Sequence, residues 1–187
     1  MEQKILELLT EEYPDIDFID CYMDPIMRRT APAVPSLWRQ IHRLLTPERR
    51  KELLSKGPLM QADYVGNCFR HEEYCDLTVF LKGKGVNVMD VNSCASYDEF
   101  LTMAGSKVNF TFHKSAFSAA KDMKQRLDQE WIIVRPGYDY DEIDEDMRKA
   151  ADCFGLFPVP AEEILTERIM TEEAVKKTQK QLGDRSE

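Results

Sequence analysis

Four apolar runs mark the middle of the chain, each closed by a small or polar residue. They are ADYVGN (62–67), VNVMDVN (86–92), VNFTFH (108–113) and EWIIVRPG (130–137). Each is short, rich in Val, Ile, Phe or Tyr, and predicts a β-strand. Between them the apolar period changes to that of a helix. HEEYCDLTVFLKGKG sets Tyr74, Leu77, Phe80 and Leu81 at helical spacing, and SYDEFLTMAGS places Ser96 and Glu99 as a capping box. SAFSAAKDMKQRLD is amphipathic, with alanines that let a helix approach a sheet closely, and YDEIDEDMRKAADCFG stops at Gly155. Strands alternating with helices predict a parallel sheet covered by helices. The expected fold is α/β. It is a three-layer sandwich around a mainly four-stranded parallel sheet, Rossmann-like or flavodoxin-like, with extra N- and C-terminal helices.

The flanks follow the same logic. Residues 2–12 predict an amphipathic helix with Ile5, Leu6, Leu8 and Leu9 on its apolar side, and DIDFIDCYM (15–23) predicts a strand. After the proline-punctuated loop RRTAPAVPS, Ser36 is the expected cap of the helix LWRQIHRLL. Thr46 and Pro47 open a further helix that ends near Gly57-Pro58. PAEEILTERIMTEEAVKKTQKQLGD predicts a long charged helix with Ile164, Leu165, Ile169, Met170, Val175 and Leu182. Three parts result: 1–60, a helical lead-in and linker with one strand; 61–157, the α/β core; and 158–187, a long helix leading toward a next domain.

Parallel sheets bind ligands outside the carboxyl ends of their strands. Candidate function therefore falls on Gly66-Asn67, Ser93-Cys94, His113-Lys114 and Pro136-Gly137-Tyr138. His113 can serve there as a metal ligand or proton donor, or can cap the following helix. Cys94 stands near a helix N-terminus, where a thiol becomes more acidic, or packs as a loop thiol. Tyr138 lines the cleft or belongs to the next helix cap. The usual phosphate signatures are missing. There is no GxxxxGK[ST], and Gly83 and Gly85 lie between a helix and a strand rather than after a strand. The loop from Gly66 lacks a third glycine, and the first strand end lacks the paired acids of a phosphoacceptor.

Composition narrows the classes further. The formal net charge of -9 disfavours nonspecific binding to nucleic acid or to an anionic membrane, although Arg28, Arg29, Arg39, Arg43, Arg49, Arg50 and Lys51 gather before residue 52. No run approaches the ~18 apolar residues of a spanning helix. The acidic N-terminus has no signal-peptide character, so the expected location is cytoplasmic. Cys21, Cys68, Cys75, Cys94 and Cys153 form no CxxC pair and match no zinc spacing, and free, mostly buried thiols are expected.

Taken in order, five segments resemble the middle domain of the nitrogenase component 1 family. They are FIDCYMDPIMRR (18–29), YVGN (64–67), VNVMDVNSCASYDEF (86–100), KVNFTFHKSAFSAAKDMKQRL (107–127) and WIIVRPGYDYDEIDEDMRKAADCFG (131–155). The resemblance spans roughly residues 15 to 183 and lies in order and spacing more than in any single motif. It implies one Rossmann-like domain of an oxidoreductase subunit that helps form a metallocluster or substrate cavity and a subunit interface, inactive by itself. The implied partners are the remaining domains of the parent subunit, a sister subunit and an ATP-dependent iron-sulfur reductase. No cofactor is expected on this chain alone; an iron-sulfur cluster or related metallocluster belongs to the full-length parent. In the cofactor-bearing nitrogenase subunit a cysteine ligates the cofactor at the end of the strand matching KVNFTFH. Here that place reads Phe112-His113, so nitrogen reduction does not carry over. Asn67, Ser93, Cys94, His113 and Tyr138 are the candidate cavity-lining residues, with His113 the candidate for any metal contact. The alternatives are a cluster- or tetrapyrrole-assembly scaffold of the same family and a free-standing module that binds a small ligand.

Overall fold

The computed structural model describes residues 2–19, 33–66, 75–135, 139–156, 169–170 and 172–180. The chain divides into two compact units, Met1–Pro136 and Gly137–Glu187. The first holds a four-stranded, all-parallel sheet of β1 (Gln61–Tyr64), β2 (Asn87–Asp90), β3 (Val108–Thr111) and β4 (Glu130–Ile133), in the order β2-β1-β3-β4. All four expected strands form. Their apolar runs suit strands covered on both faces.

Strand order explains where the helices go. A right-handed crossover puts its helix on opposite faces for opposite steps along the sheet. The chain steps from β1 to β2, then back past β1 to β3 and on to β4. Helix α4 (Asp76–Gly83) therefore covers one face, and α5 (Tyr97–Thr102) and α6 (Phe117–Leu127) cover the other. On the α4 face, Tyr64 stacks on Phe112 at 4.8 Å, and its hydroxyl bonds Thr78 Oγ1 at 3.0 Å. On the opposite face Val65, Met89, Met103, Ala119, Met123 and Leu127 form the apolar core. The buried Ala119 and Ala120 bring α6 close to the sheet, as the alanine-rich segment requires.

The lead-in helices α2 (Ala33–Arg43) and α3 (Pro47–Ser55) join this second face. Arg126 on α6 donates to the carbonyls of His42 and Leu45, satisfying the C-terminal end of α2, and also pairs with Asp122 at 2.6 Å. Thr46 Oγ1 caps α3 by accepting from Arg49 N at 3.2 Å. Two expectations change here. Helix α2 starts at Ala33, so Ser36 lies within it rather than capping it. Pro35 is accommodated because a first-turn N–H has no intrahelical partner to lose. Among the described residues, 15–19 form a turn, a bend and irregular chain without strand pairing. Tyr13 N donates to Leu9 O and Ile16 N to Tyr13 O, so local bonding carries on beyond α1 (Glu2–Glu12). The rest of that expected strand lies outside the described residues.

The capping box at Ser96 forms with one difference. Ser96 Oγ accepts from Glu99 N, while the Glu99 carboxylate reaches Ala95 N rather than the cap's own N–H. In the second unit, α7 (Tyr140–Phe154) begins at Asp139, which accepts from Asp141 N and Glu142 N. It ends at Gly155 with φ 65°, as a left-handed C-cap. Residues 169–170 and 172–180 are helical, where the long charged helix is expected. Among the described residues no helix is long and apolar enough to cross a membrane.

Candidate functional site

The switch point of this sheet lies between β1 and β3, whose outgoing connections turn to opposite faces. Gly66 follows β1 there with φ +92°, a backbone geometry that L side chains rarely adopt. A Cβ on Gly66 would stand 2.5 Å from Ala116 Cβ, in the first turn after β3. The turn after β3 thus packs directly on the residue that follows β1.

His113 ends the segment after β3 and is exposed. Its Nδ1 accepts from Ser115 N at 3.2 Å and lies 3.0 Å from Ser115 Oγ, so the imidazole caps the short turn Lys114–Ala116 that leads into α6. Of the two readings of this histidine, the cap is the one the geometry displays. Nε2 is the ring atom left to face solvent or a ligand.

At the end of β2 the polar groups tie up one another. Asp90 Oδ1 accepts from Asn92 N at 2.6 Å and Ser93 N at 3.2 Å. Ser93 Oγ donates to Asp90 O and accepts from Asp90 N, and the Cys94 thiol donates to Asp90 O at 3.2 Å. Burial first, then the carboxylates of Glu99, Asp63 and Asp90, push the Cys94 thiol up to about 11. With its thiol donating to Asp90 O and its acidity lowered by burial, Cys94 fits the packed loop thiol of the two readings.

Ser93 and Cys94 share one turn. β1 stands between their strand and that of His113. Two inter-strand spacings, roughly 10 Å, therefore separate the strand ends, and the three residues do not form one catalytic constellation. Asn67 and Tyr138 lie outside the described residues, as do Cys21 and Cys68. Among the described residues no group of three His, Cys, Asp or Glu side chains could hold a metal ion. Cys75 lies 3.2 Å from the Tyr64 hydroxyl under α4, and Cys153 donates to Lys149 O on α7. These donors do not fit an iron-sulfur cluster.

Two residues that sequence reasoning passed over organise the region. Asp90 builds the β2 turn; an acid closing an apolar strand before Asn-Ser is a recognisable Asx-turn signal. Asp63 sits fully buried in the middle of β1, an anomaly for a strand covered on both faces. No family model matches this chain, and no curated protein matches it.

Proposed function

We propose that this chain is a Rossmann-like domain of a nitrogenase component 1-like oxidoreductase subunit, forming one wall of a metallocluster or substrate cavity and part of a subunit interface. The observation that carries this reading is the parallel sheet in the order β2-β1-β3-β4, set with the ordered segments that resemble that family. The state of the carboxyl-edge residues supports a wall rather than a self-sufficient active site. Cys94 is held as a thiol and His113 is engaged as a cap. On this reading the cluster ligands come from other domains of the parent, and electrons arrive from an ATP-dependent iron-sulfur reductase that docks on the assembled subunits.

The test is anaerobic purification of the native polypeptide from its source cells, with an antibody raised against this chain. The reading expects a polypeptide at least roughly double this chain's 21.7 kDa, as a multidomain subunit requires. It also expects bound iron, a co-purifying sister subunit, and electron uptake that needs the reductase and ATP. A native polypeptide of this chain's own mass, without iron, would sink the reading and leave the small-ligand module. Iron without any turnover would favour the assembly scaffold.

A further inference from the structure

On the face of the sheet opposite α4, a buried row of polar side chains has too few hydrogens for its acceptors. Gln129 fixes the row's orientation. Its Nε2 donates to Met103 O at 2.8 Å and to Ala104 O at 3.2 Å. Its Oε1 must then accept, and Asn109 Nδ2 donates to it at 3.0 Å. Asn109 Oδ1 is thereby left as the unbonded end of the amide, and the register partner of Asn109 on β1 is Asp63, on the same face of the sheet. Flipping the Asn109 amide would set two carbonyl oxygens against each other. Flipping Gln129 as well would break both bonds to main-chain carbonyls.

Asp63 completes the problem. Its Oδ1 accepts from Gln61 Nε2 at 3.2 Å, and that same amide nitrogen also serves Thr102 O. Asp63 Oδ2, Asn109 Oδ1 and Ser106 Oγ are all buried and outside good hydrogen-bond geometry with any described group, although the Ser106 hydroxyl stands close enough to Asp63 to favour its charged form. With Asp63 ionised, that one hydroxyl is shared between two side-chain acceptors among the described residues. Buried acceptors without donors are costly and rare.

We propose that Asp63 is a neutral carboxylic acid in the folded protein, its Oδ2–H donating to Asn109 Oδ1, so that one buried proton joins β1 to β3 beneath the switch-point loops. The surrounding charges agree. Asp90 on β2 opposes a second negative charge at Asp63. Cys94, in the loop after β2, stays a thiol for related reasons. The cations on this side are engaged elsewhere: Arg50 Nη1 on α3 donates to Ala104 O and Ser106 O at 3.0 and 2.9 Å, Arg126 on α6 pairs with Asp122 and the α2 carbonyls, and Arg43 on α2 pairs with Asp122. β3, β4 and α6 contribute the neutral Asn109, Thr111 and Trp131 and the apolar Ala119, Met123 and Leu127. Burial is the largest influence and raises the acid to about 8, against the lowering effect of Ser106 and Gln61. The joint is therefore alkali-sensitive: loss of the proton sets two acceptors face to face between β1 and β3, three residues before Gly66.

Carbon-13 NMR of the side-chain carboxyls, on the full labelled chain, tests this directly. One aspartate carboxyl, missing from the spectrum of Asp63→Asn, is expected to titrate near 8 rather than at the ordinary 3.8. Asp63→Asn supplies an amide N–H in place of the acid O–H. It is expected to fold and to lose the wild type's fall in unfolding midpoint between neutral pH and 9. If Asp63→Asn does not fold, the wild-type titration still decides. All aspartates titrating together in the acid range would overturn the proposal, as would an unchanged alkaline fall in a folded Asp63→Asn.

Discussion

The carboxyl edge of the sheet and the polar layer inside it use similar residues in opposite ways. At the edge, the side-chain hydrogen bonds described for Asp90, Ser93, Ser96, Glu99, His113 and Ser115 join groups no more than four residues apart. In the interior, Asn109 reaches Gln129 twenty residues on, Gln129 reaches Met103 twenty-six residues back, and Gln61 reaches Thr102 across forty-one. Short-range bonds shape loops and leave register to the core. Long-range bonds in a dry layer fix which residue opposes which, because each partner left unmade costs its full desolvation. The edge should therefore tolerate substitution far better than the layer, and function at the edge can change without changing the fold.

The largest expected effect tests Gly66, an edge position whose close contact is long-range. Gly66→Ala should cost about 4 kcal/mol by urea unfolding, from backbone strain at φ +92° plus the clash with Ala116 Cβ. Adding Ala116→Gly should recover the clash but not the strain. Full recovery would mean that φ at Gly66 costs nothing. Gln129→Leu comes next, at about 3 kcal/mol, because it strands Met103 O, Ala104 O and Asn109 Nδ2 in the interior. A loss below that of an exposed polar residue would break the contrast between layer and edge.

Legibility in the sequence divides along the same line. The four strands could be read because buried parallel strands are apolar runs with punctuated ends. The caps at Thr46, Ser96 and Gly155 could be read because they depend on neighbours three or four residues away. The polar layer could not: Asp63 and Asn109 become partners only through the register of β1 and β3, which no local pattern carries. DIDFID imitates strand alternation, but within residues 15–19 a turn following α1 takes precedence. Three of the candidate site residues fall on described loops, yet the intervening β1 that separates Ser93 and Cys94 from His113 follows only from strand order.

A second buried titratable group sharpens the account of the interior. His42 is fully buried on α2, with Nδ1 donating to Trp38 O at 2.8 Å and Nε2 unpartnered. Burial lowers it from 6.5 to about 4. A depressed histidine contributes stability that is present above pH 6.5 and is lost as pH falls toward 4, by about 3 kcal/mol over the full window. Asp63 acts with the opposite sign: its contribution is complete below 3.8 and declines as pH rises through about 8. Between about 4 and 6.5 the two slopes offset, and above 6.5 the decline belongs to Asp63 alone. Unfolding free energies measured from pH 4 to 9 should show this bend. His42→Gln should remove the acid-side loss and leave the alkaline fall, whereas loss of both arms together would mean the two groups are not separate.

The smallest expected change in stability carries the most information about the edge. His113→Ala removes the acceptor that holds Ser115 N and should cost about 1 kcal/mol in urea unfolding. His113→Asn should return most of it, since an asparagine carbonyl caps a helix start as well as an imidazole nitrogen does. On the reading proposed above, a parent subunit carrying the Asn variant should keep its activity if capping is the residue's whole task. If on that reading Nε2 faces a metallocluster or substrate, Asn restores the fold and not the chemistry, and activity stays depressed in both variants. Stability and turnover then separate at a single residue. That separation is what an edge held by short-range bonds allows and an interior held by long-range bonds does not.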